Sequence, residues 1–380
     1  MKFPFVKPPI TGKEEEYFLK AFKSGHHSGG GPYTIACQNF IQKEFSIDKT
    51  LLTTSCTDAL EMASFLINGS SEDEFIVPSY TFSSTANAFV SRGMTPVFCE
   101  IDEKTLNIDV KKIEALITNK TKAIVPIHYA GIPSEMDEIN KIASKYKLVV
   151  IEDAAQAFNS KYKNKYAGSI GDLSTFSFHS SKSYSCGEGG ALNINNPIFK
   201  ERSEFLWEKG TDRSLVTKGL KNKYSWVDYG SSFLPSDLLA SILLAQFDNI
   251  NSLQSKRKKL FNSYDEKFRQ LEGLGLQKII IPKKTQNNFH AFWVIFPSAK
   301  QRDLFIEKSH KKNISPYIGY VPLHNSKMGE KVGKTIYKLK KTESISSRIV
   351  RLPFYIMSEI EIELISNSLY KIAKECLIEN

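Results

Sequence analysis

Between residues 50 and 195, short apolar runs alternate with longer helix-patterned segments, and this alternation constrains the fold more than any other feature. LLTTS (51–55) reads as a strand and TDALEMASFLI as the amphipathic helix after it. EFIVPS is a strand followed by a helix through TANAFVSRG, and TPVFCEID and KAIVPIHYAG are further strands. A helix through EMDEINKIASKYK leads to LVVIED, the most clearly buried run. Strands alternating with helices need crossover connections, so the expected architecture is α/β, with a mainly parallel sheet covered on both faces. A long helical pattern over residues 236–271, bent near Asn249 and Asn251, carries the chain out of this unit. QKIIIP, HAFWVIFP and NISPYIG then read as strands, with helical patterns at 301–312 and 358–376. At 380 residues the chain exceeds one ordinary core, and the expected division is a large domain over 1–248 and a small α+β domain over 249–380.

Composition removes several function classes. With 41% hydrophobic and 24% charged residues the chain is globular rather than disordered. No apolar run approaches the roughly 18 residues that cross a bilayer, and MKFPFVKPPITGKEEE has prolines and acids where a signal peptide needs an apolar centre. Cys37, Cys56, Cys99, Cys186 and Cys376 are widely spaced with no CxxC, which argues against a disulfide framework or a zinc site. The expected location is the cytoplasm, with no membrane partner and no metal. The net charge of +10 invites a nucleic-acid reading, but the lysines are dispersed and no recognition pattern accompanies them. The lysine-dense stretch 327–341 reads as a solvated face, and the overall field favours an anionic substrate.

In an open parallel sheet, ligands bind beyond the carboxyl ends of the strands. Ser55-Cys56-Thr57-Asp58 stands between a strand and a helix, either as a phosphate site or as an ordinary N-cap. Asp153, directly after LVVIE, could ligate a metal, orient a ribose, hold a protonated ring nitrogen, or cap a helix through AAQAF with Gln156 as capping-box partner. Lys182, in STFSFHSSKSYSCGEGG (174–190), sits where a strand gives way to a loop, either as a solvated charge or as a partly desolvated nucleophile. Singly these residues decide nothing. Together, a phosphate cradle, a strand-end aspartate and a later lysine are the three handles pyridoxal phosphate needs: for its phosphate, its ring nitrogen and its aldehyde. The aspartate keeps the ring nitrogen protonated, and the lysine binds the aldehyde and then moves a proton.

The ordered stretches SCTDALEMA, VPSYTFSSTANAFV, EIDEKTLNID, VPIHYAG, VIEDAAQ, FSFHSSK and GEGGAL resemble the sugar aminotransferases of the DegT/DnrJ/EryC/StrS family over residues 3–364. Within it, SCTDALEMA, EKGTDRS, KYSWVDYGSSFLPSDL and YVPLH are most similar to the dTDP-4-amino-4,6-dideoxygalactose transaminases of enterobacterial-common-antigen synthesis. The resemblance implies a pyridoxal-phosphate-dependent transferase of fold type I, acting as a homodimer with shared active sites. Its implied substrates are a nucleotide-linked keto sugar, dTDP-4-keto-6-deoxy-D-glucose, and L-glutamate. By the same resemblance, Lys182 matches the catalytic lysine that joins the cofactor and Asp153 the ring-nitrogen partner. Gln156 matches the residue against one cofactor face, Phe82 the aromatic stacked on the ring, and Thr57, the Asp58 amide and Ser177 the phosphate contacts. His324, Tyr317 and Lys223 are candidates for the sugar. Leu234, in FLPSD, replaces an Asn with which many relatives reach the neighbouring subunit's phosphate. Lys182, where sugar dehydratases of the family carry His, argues against dehydration. Amination at C3 or equatorially at C4 of a dTDP, UDP or GDP sugar remains open, as does a cofactor-binding regulator or scaffold. A nicotinamide-dependent epimerase or dehydrogenase needs a glycine fingerprint after the first strand, and residues 29–31 follow no strand pattern. His128 and Tyr129 either pack at the sheet end or face the site. His26 and His27 read as part of a mobile N-terminal loop, and Trp207 and Trp226 as core or interface residues.

Overall fold

The computed structural model describes residues 2–379. Its central sheet has seven strands: β1 (Lys49–Thr53), β2 (Glu74–Pro78), β3 (Thr95–Cys99), β4 (Thr121–Ile124), β5 (Val149–Asp153), β6 (Leu173–Ser177) and β7 (Gly190–Ile194). They lie in the order β1-β7-β6-β5-β4-β2-β3, and every pairing from β6 across to β3 is parallel. β7 alone among them is antiparallel, to β6 on one side and to β1 on the other. β6 and β7 are joined by a loop rather than a helical crossover, so β7 must return in the opposite direction. The loop is itself tied: Phe178 N donates to Gly189 O at 2.8 Å and Ser180 N to Gly187 O at 2.8 Å. The carboxyl ends of β1, β5 and β6 thus meet at one edge, beside the first residue of β7. β2, β6 and β7 are buried along their whole length, which is why they read as continuous runs rather than alternating ones.

Helices follow the strands as the periodicity predicts. Cys56–Leu66 follows β1, Ser83–Val90 follows β2, and Met136–Tyr146 buries Met136, Ile139 and Ala143 on one stripe. The long helical pattern is two helices, Asp237–Phe247 and Ile250–Arg269, parted at residues 248 and 249. The first packs between Glu14–Lys23 and Pro32–Phe45, two N-terminal helices that flank the loop holding His26 and His27. Among the described residues no helix is long and apolar enough to cross a membrane.

The second unit is a three-stranded antiparallel sheet, Gln277–Lys278, Trp293–Ile295 and Ile349–Arg351, flanked by Ala299–Lys311 and Glu359–Ile378. NISPYIG is not one of its strands. It makes only isolated bridges, Ile314 to Phe3 and Tyr317 to Arg351, because Pro316 brings no N–H to a ladder and Gly319 turns the chain at φ 78. Trp293, Phe292 and Tyr264 centre its core, which also takes in Phe3 and the sheet-end residues Tyr80 and Tyr129. The second unit is therefore packed onto the carboxyl edge of the large sheet.

Candidate active site

At that edge lies a cleft of about 350 Å³ lined by Thr57, Phe82, Asp153, Gln156, Ser177, Lys182 and Tyr317 from among the sequence candidates. Phe5, Thr85, His290, Tyr320 and Arg351 also line it. Phe5 is brought there by the chain's first residues, which bond to the second unit through Phe3 N to Asn313 O (2.9 Å) and Phe354 N to Phe5 O (3.0 Å).

Asp153 ends β5 with its side chain buried. Its Oδ2 accepts from Thr85 Oγ1 at 2.7 Å, and its Oδ1 from Ala155 N at 3.1 Å. The chain after it forms turns, not a helix, so the capping alternative is set aside. Gln156 reaches across the sheet end instead: its Oε1 accepts from Ala130 N and its Nε2 donates to Tyr320 Oη, both at 2.8 Å. Burial pushes the Tyr320 hydroxyl up to about 12, which keeps it a neutral phenol.

The phosphate cradle is narrower than the sequence suggests. Ser55 caps the Cys56–Leu66 helix by accepting from Asp58 N at 3.1 Å, and the Asp58 carboxylate accepts from Thr54 Oγ1. The Asp58 amide is therefore already committed, and Asp58 does not line the cleft. The Cys56 and Thr57 amides are the other first-turn donors of that helix. Thr57 Oγ1 donates to Ser84 Oγ at 2.9 Å, joining the ends of the helices that follow β1 and β2. Gly190, the first residue of β7, presses against this turn so closely that a Cβ would overlap the backbone of Ser55 and Cys56.

Lys182 is half-buried at the tip of the β6–β7 loop, and among the described residues its amine has no hydrogen-bond or ion-pair partner. Burial pulls its pKa below the ordinary lysine value, against Cys56 and the Asp153 carboxylate and with help from the Arg351 charge. Because burial pushes the Cys56 thiol up to about 12, Cys56 is neutral, and Asp153 is the effective counter-charge. Next to it, Ser183 Oγ meets His290 Nδ1 at 3.1 Å. Burial first, and then the Lys182, Arg351 and Arg257 charges, hold His290 well below its usual value, so the imidazole is neutral.

Phe82, 58% exposed, presents its ring to the cleft 6.2 Å from Tyr320. His324 lies outside the lining: its imidazole is taken up by Ser79 Oγ at 2.6 Å and by Glu343 at 3.2 Å. Lys223 is also outside, on an exposed stretch. His128 accepts from Ser134 N at Nδ1, so its Nε2 carries the proton and donates to the fully buried Glu152 at 2.8 Å, a lock beneath the site. Leu234 packs on Gly29 and Gly30. The sequence reading missed Thr85, His290, Tyr320 and Arg351. Thr85 could have been found, three residues beyond Phe82 in a helix's first turn, whereas Arg351 carries no local signal.

Free amides at a helix start, a carboxylate at a strand end and an unpartnered enclosed amine fit the phosphate, ring nitrogen and aldehyde of pyridoxal phosphate. Residues 8–369 match the profile of the DegT/DnrJ/EryC1/StrS aminotransferase family. The uncharacterized protein MJ1066 of Methanocaldococcus jannaschii is 35% identical over 98% of both chains. GDP-perosamine synthase of Escherichia coli O157:H7 is 32% identical over 86% of this chain and 87% of its own. Spr1654 of Streptococcus pneumoniae, described as a sugar aminotransferase and solved in its PLP form, aligns with a TM-score of 0.90 at 25% identity, over 99% of this chain and 100% of its own. The chain thus belongs to the DegT/DnrJ/EryC1/StrS aminotransferase family and is a pyridoxal-phosphate-dependent aminotransferase of fold type I.

Proposed function

We propose that the enzyme, as a homodimer, moves an amino group from L-glutamate to C4 of a nucleotide-linked 4-keto-6-deoxy sugar. The sugar we assign is dTDP-4-keto-6-deoxy-D-glucose, with dTDP-4-amino-4,6-dideoxy-D-galactose and 2-oxoglutarate as products. The observation that carries the transfer chemistry is the enclosed Lys182 amine sharing one cleft with the Asp153 carboxylate. Similarity to GDP-perosamine synthases supports a nucleotide-linked sugar and makes a GDP sugar the second reading.

Pyridoxal phosphate, when bound, supplies an aldehyde that takes up the amino group and a ring that accepts the electrons of the breaking C–H bond. In this reading Lys182 removes the proton from the donor's α-carbon and later returns one to the sugar carbon. An amine with a lowered pKa suits both directions near neutral pH. Asp153, steadied by Thr85, holds the ring nitrogen's proton, while Thr57 and Ser177 hold the phosphate with the helix-end amides. Phe82 and Gln156 confine the ring, and Tyr317, half exposed over the cleft, meets the sugar.

The dimer reading rests on residues 220–229, where Leu220 is 70% and Trp226 82% exposed with no cover among the described residues. Such a patch fits a second copy, and Lys223 within it would then serve the partner subunit's cleft. We place the domain division between residues 248 and 249, where the two long helices part. The test is proton NMR of the product formed from L-glutamate and either the dTDP or the GDP 4-keto-6-deoxy sugar. An axial C4 amine on the dTDP sugar is expected. An equatorial or C3 amine, or product from the GDP sugar alone, would replace the substrate assignment.

A further inference from the structure

Beyond the end of β4, Ala130 and Gly131 place two successive residues in the left-handed region, at φ 53 and φ 78. Glycine takes that conformation freely. Alanine, with its Cβ, does so at a free-energy cost and holds it only where its surroundings leave no alternative. Here the surroundings are three buried asparagines. Asn107 clasps the turn: its Oδ1 accepts from Tyr129 N and its Nδ2 donates to Ile132 O, both at 2.8 Å. A second hold comes from Asn287 and Asn288, in the chain leading to Trp293–Ile295 of the second unit. Asn287 Nδ2 donates to Ala130 O at 3.1 Å. Asn288 N donates to Ser160 Oγ at 3.1 Å, and Ser160 Oγ in turn donates to Gly131 O at 2.8 Å. Asn288 sits so close to Gly131 that a Cβ there would overlap its Oδ1.

The remaining amide of the turn leads to the cleft. Ala130 N, which can only donate, faces Gln156 Oε1 at 2.8 Å and so fixes which end of that side-chain amide is oxygen. Gln156 Nε2 is thereby left to donate to Tyr320 Oη, also at 2.8 Å. With both ends tied, the Gln156 amide is held from rotating. Asn288 Nδ2 secures the backbone beside it, donating to Gln156 O and Phe158 O, both at 2.9 Å. Gln156 lines the cleft and the asparagines do not, so any effect of theirs on the chemistry passes through it. An ordinary fastening between the two units needs neither a strained alanine nor an end point in the cleft.

We propose that Asn287 is a positioning residue: by holding the Ala130 turn it orients Gln156 against the cofactor ring and keeps the ring aligned with the Lys182 amine. The assignment rests on the aminotransferase reading, in which Gln156 confines the ring, and extends it to a residue outside the cleft. Proton transfer by Lys182 tolerates little misplacement, so a loosened Gln156 should slow transfer more than it weakens cofactor binding, which Thr57 and Ser177 sustain at the phosphate.

The test compares wild type with Asn287→Ala, with Ala130→Gly/Asn287→Ala, with Gln156→Ala and with Gln156→Ala/Asn287→Ala. Three quantities are read: the visible circular dichroism induced in bound pyridoxal phosphate, which reports ring orientation, the cofactor dissociation constant, and the single-turnover rate with L-glutamate. Asn287→Ala should reduce the induced signal and slow single turnover about tenfold, while the dissociation constant stays within about threefold. Glycine accepts the turn unaided, so adding Ala130→Gly should return signal and rate to within about threefold of wild type. In the Gln156→Ala background, Asn287→Ala should change neither further, because the route is already cut. Losses that add in that background, or that Ala130→Gly leaves in place, would make Asn287 purely structural and overturn the proposal. So would an unchanged signal and rate in Asn287→Ala. If Asn287→Ala does not fold, Ala130→Gly/Asn287→Ala decides alone: a folded variant with signal and rate near wild type supports the proposal, and any other result overturns it. A wild-type enzyme that binds pyridoxal phosphate but takes no amine from L-glutamate would instead defeat the proposed reaction, leaving Asn287 to be judged on the induced signal.

Discussion

Lys182 shows what burial does to a single residue. Its amine is enclosed and unpaired among the described residues, with Asp153 as counter-charge and Arg351 as an opposing one. Lys182→Ala should lower glutamate-dependent turnover about 10³-fold or more, since proton transfer and cofactor attachment are lost together. Turnover within tenfold of wild type would remove Lys182 from the chemistry. The sign of its titration is also open to test in the cofactor-free enzyme, by following the rate of capture of added pyridoxal phosphate against pH. Capture needs the neutral amine, so the rate should rise with pH through a midpoint below that of free lysine. Asp153→Asn removes a charge that favours the ammonium and should move the midpoint lower. Arg351→Gln removes one that opposes it and should move the midpoint higher. Lys182 and Asp153 were legible because strand ends in a parallel sheet are where ligands bind. Arg351 was not, because an arginine in a three-residue strand looks like any surface residue until the fold turns it inward.

Elements were legible to the extent that their own residues decide them. LVVIED and EMDEINKIASKYK carry their burial in their periodicity and appear as β5 and Met136–Tyr146. NISPYIG carries apolar residues at strand spacing, yet Pro316 and Gly319 break the ladder, and the place in the sheet goes to Ile349–Arg351. The helix-end cradle depends on a neighbour no local pattern reveals: β7 must begin with a residue lacking a side chain. Gly190→Ala should force the Ser55–Cys56 turn outward and raise the cofactor dissociation constant at least about tenfold, measured by equilibrium dialysis. Below the site, Glu152 accepts from His128 and from the amides of Gly168, Ile170 and Gly171. Burial opposes its ionisation, but these donors prevail and hold its carboxyl below the ordinary 4.5. With the folded value depressed, its contribution to stability is complete above the unfolded value and fades as pH falls through the folded one. Glu152→Ala should destabilise the fold by about 3–5 kcal/mol at neutral pH in a denaturant titration, with the difference from wild type shrinking in acid. A constant difference across that range would separate the loss from the carboxylate's charge.

For the whole molecule, surface and order of assembly matter more than any contact. The exposed stretch around Trp226 predicts that Trp226→Glu with Tyr229→Glu shifts sedimentation toward a monomer while leaving the far-ultraviolet spectrum unchanged. An unchanged sedimentation coefficient would move the subunit contact elsewhere. A second α+β unit was expected from the long helical pattern over 236–271 and the strand-like runs after it, and a three-stranded antiparallel sheet does follow those helices. The single reversed strand of the large sheet was not expected, because direction is set by the connection rather than by the strand's own residues. That reversal governs how the enzyme is made. Within the sheet, Thr53, just before the cradle, pairs with Gly190 of β7 and with no other strand. The expectation is that on the ribosome the sheet edge beside the cradle stays unpaired until β7 has left the exit tunnel. A nascent chain stalled before that strand emerges should be blind to pyridoxal phosphate, and one stalled just after the whole large unit has emerged should begin to retain it.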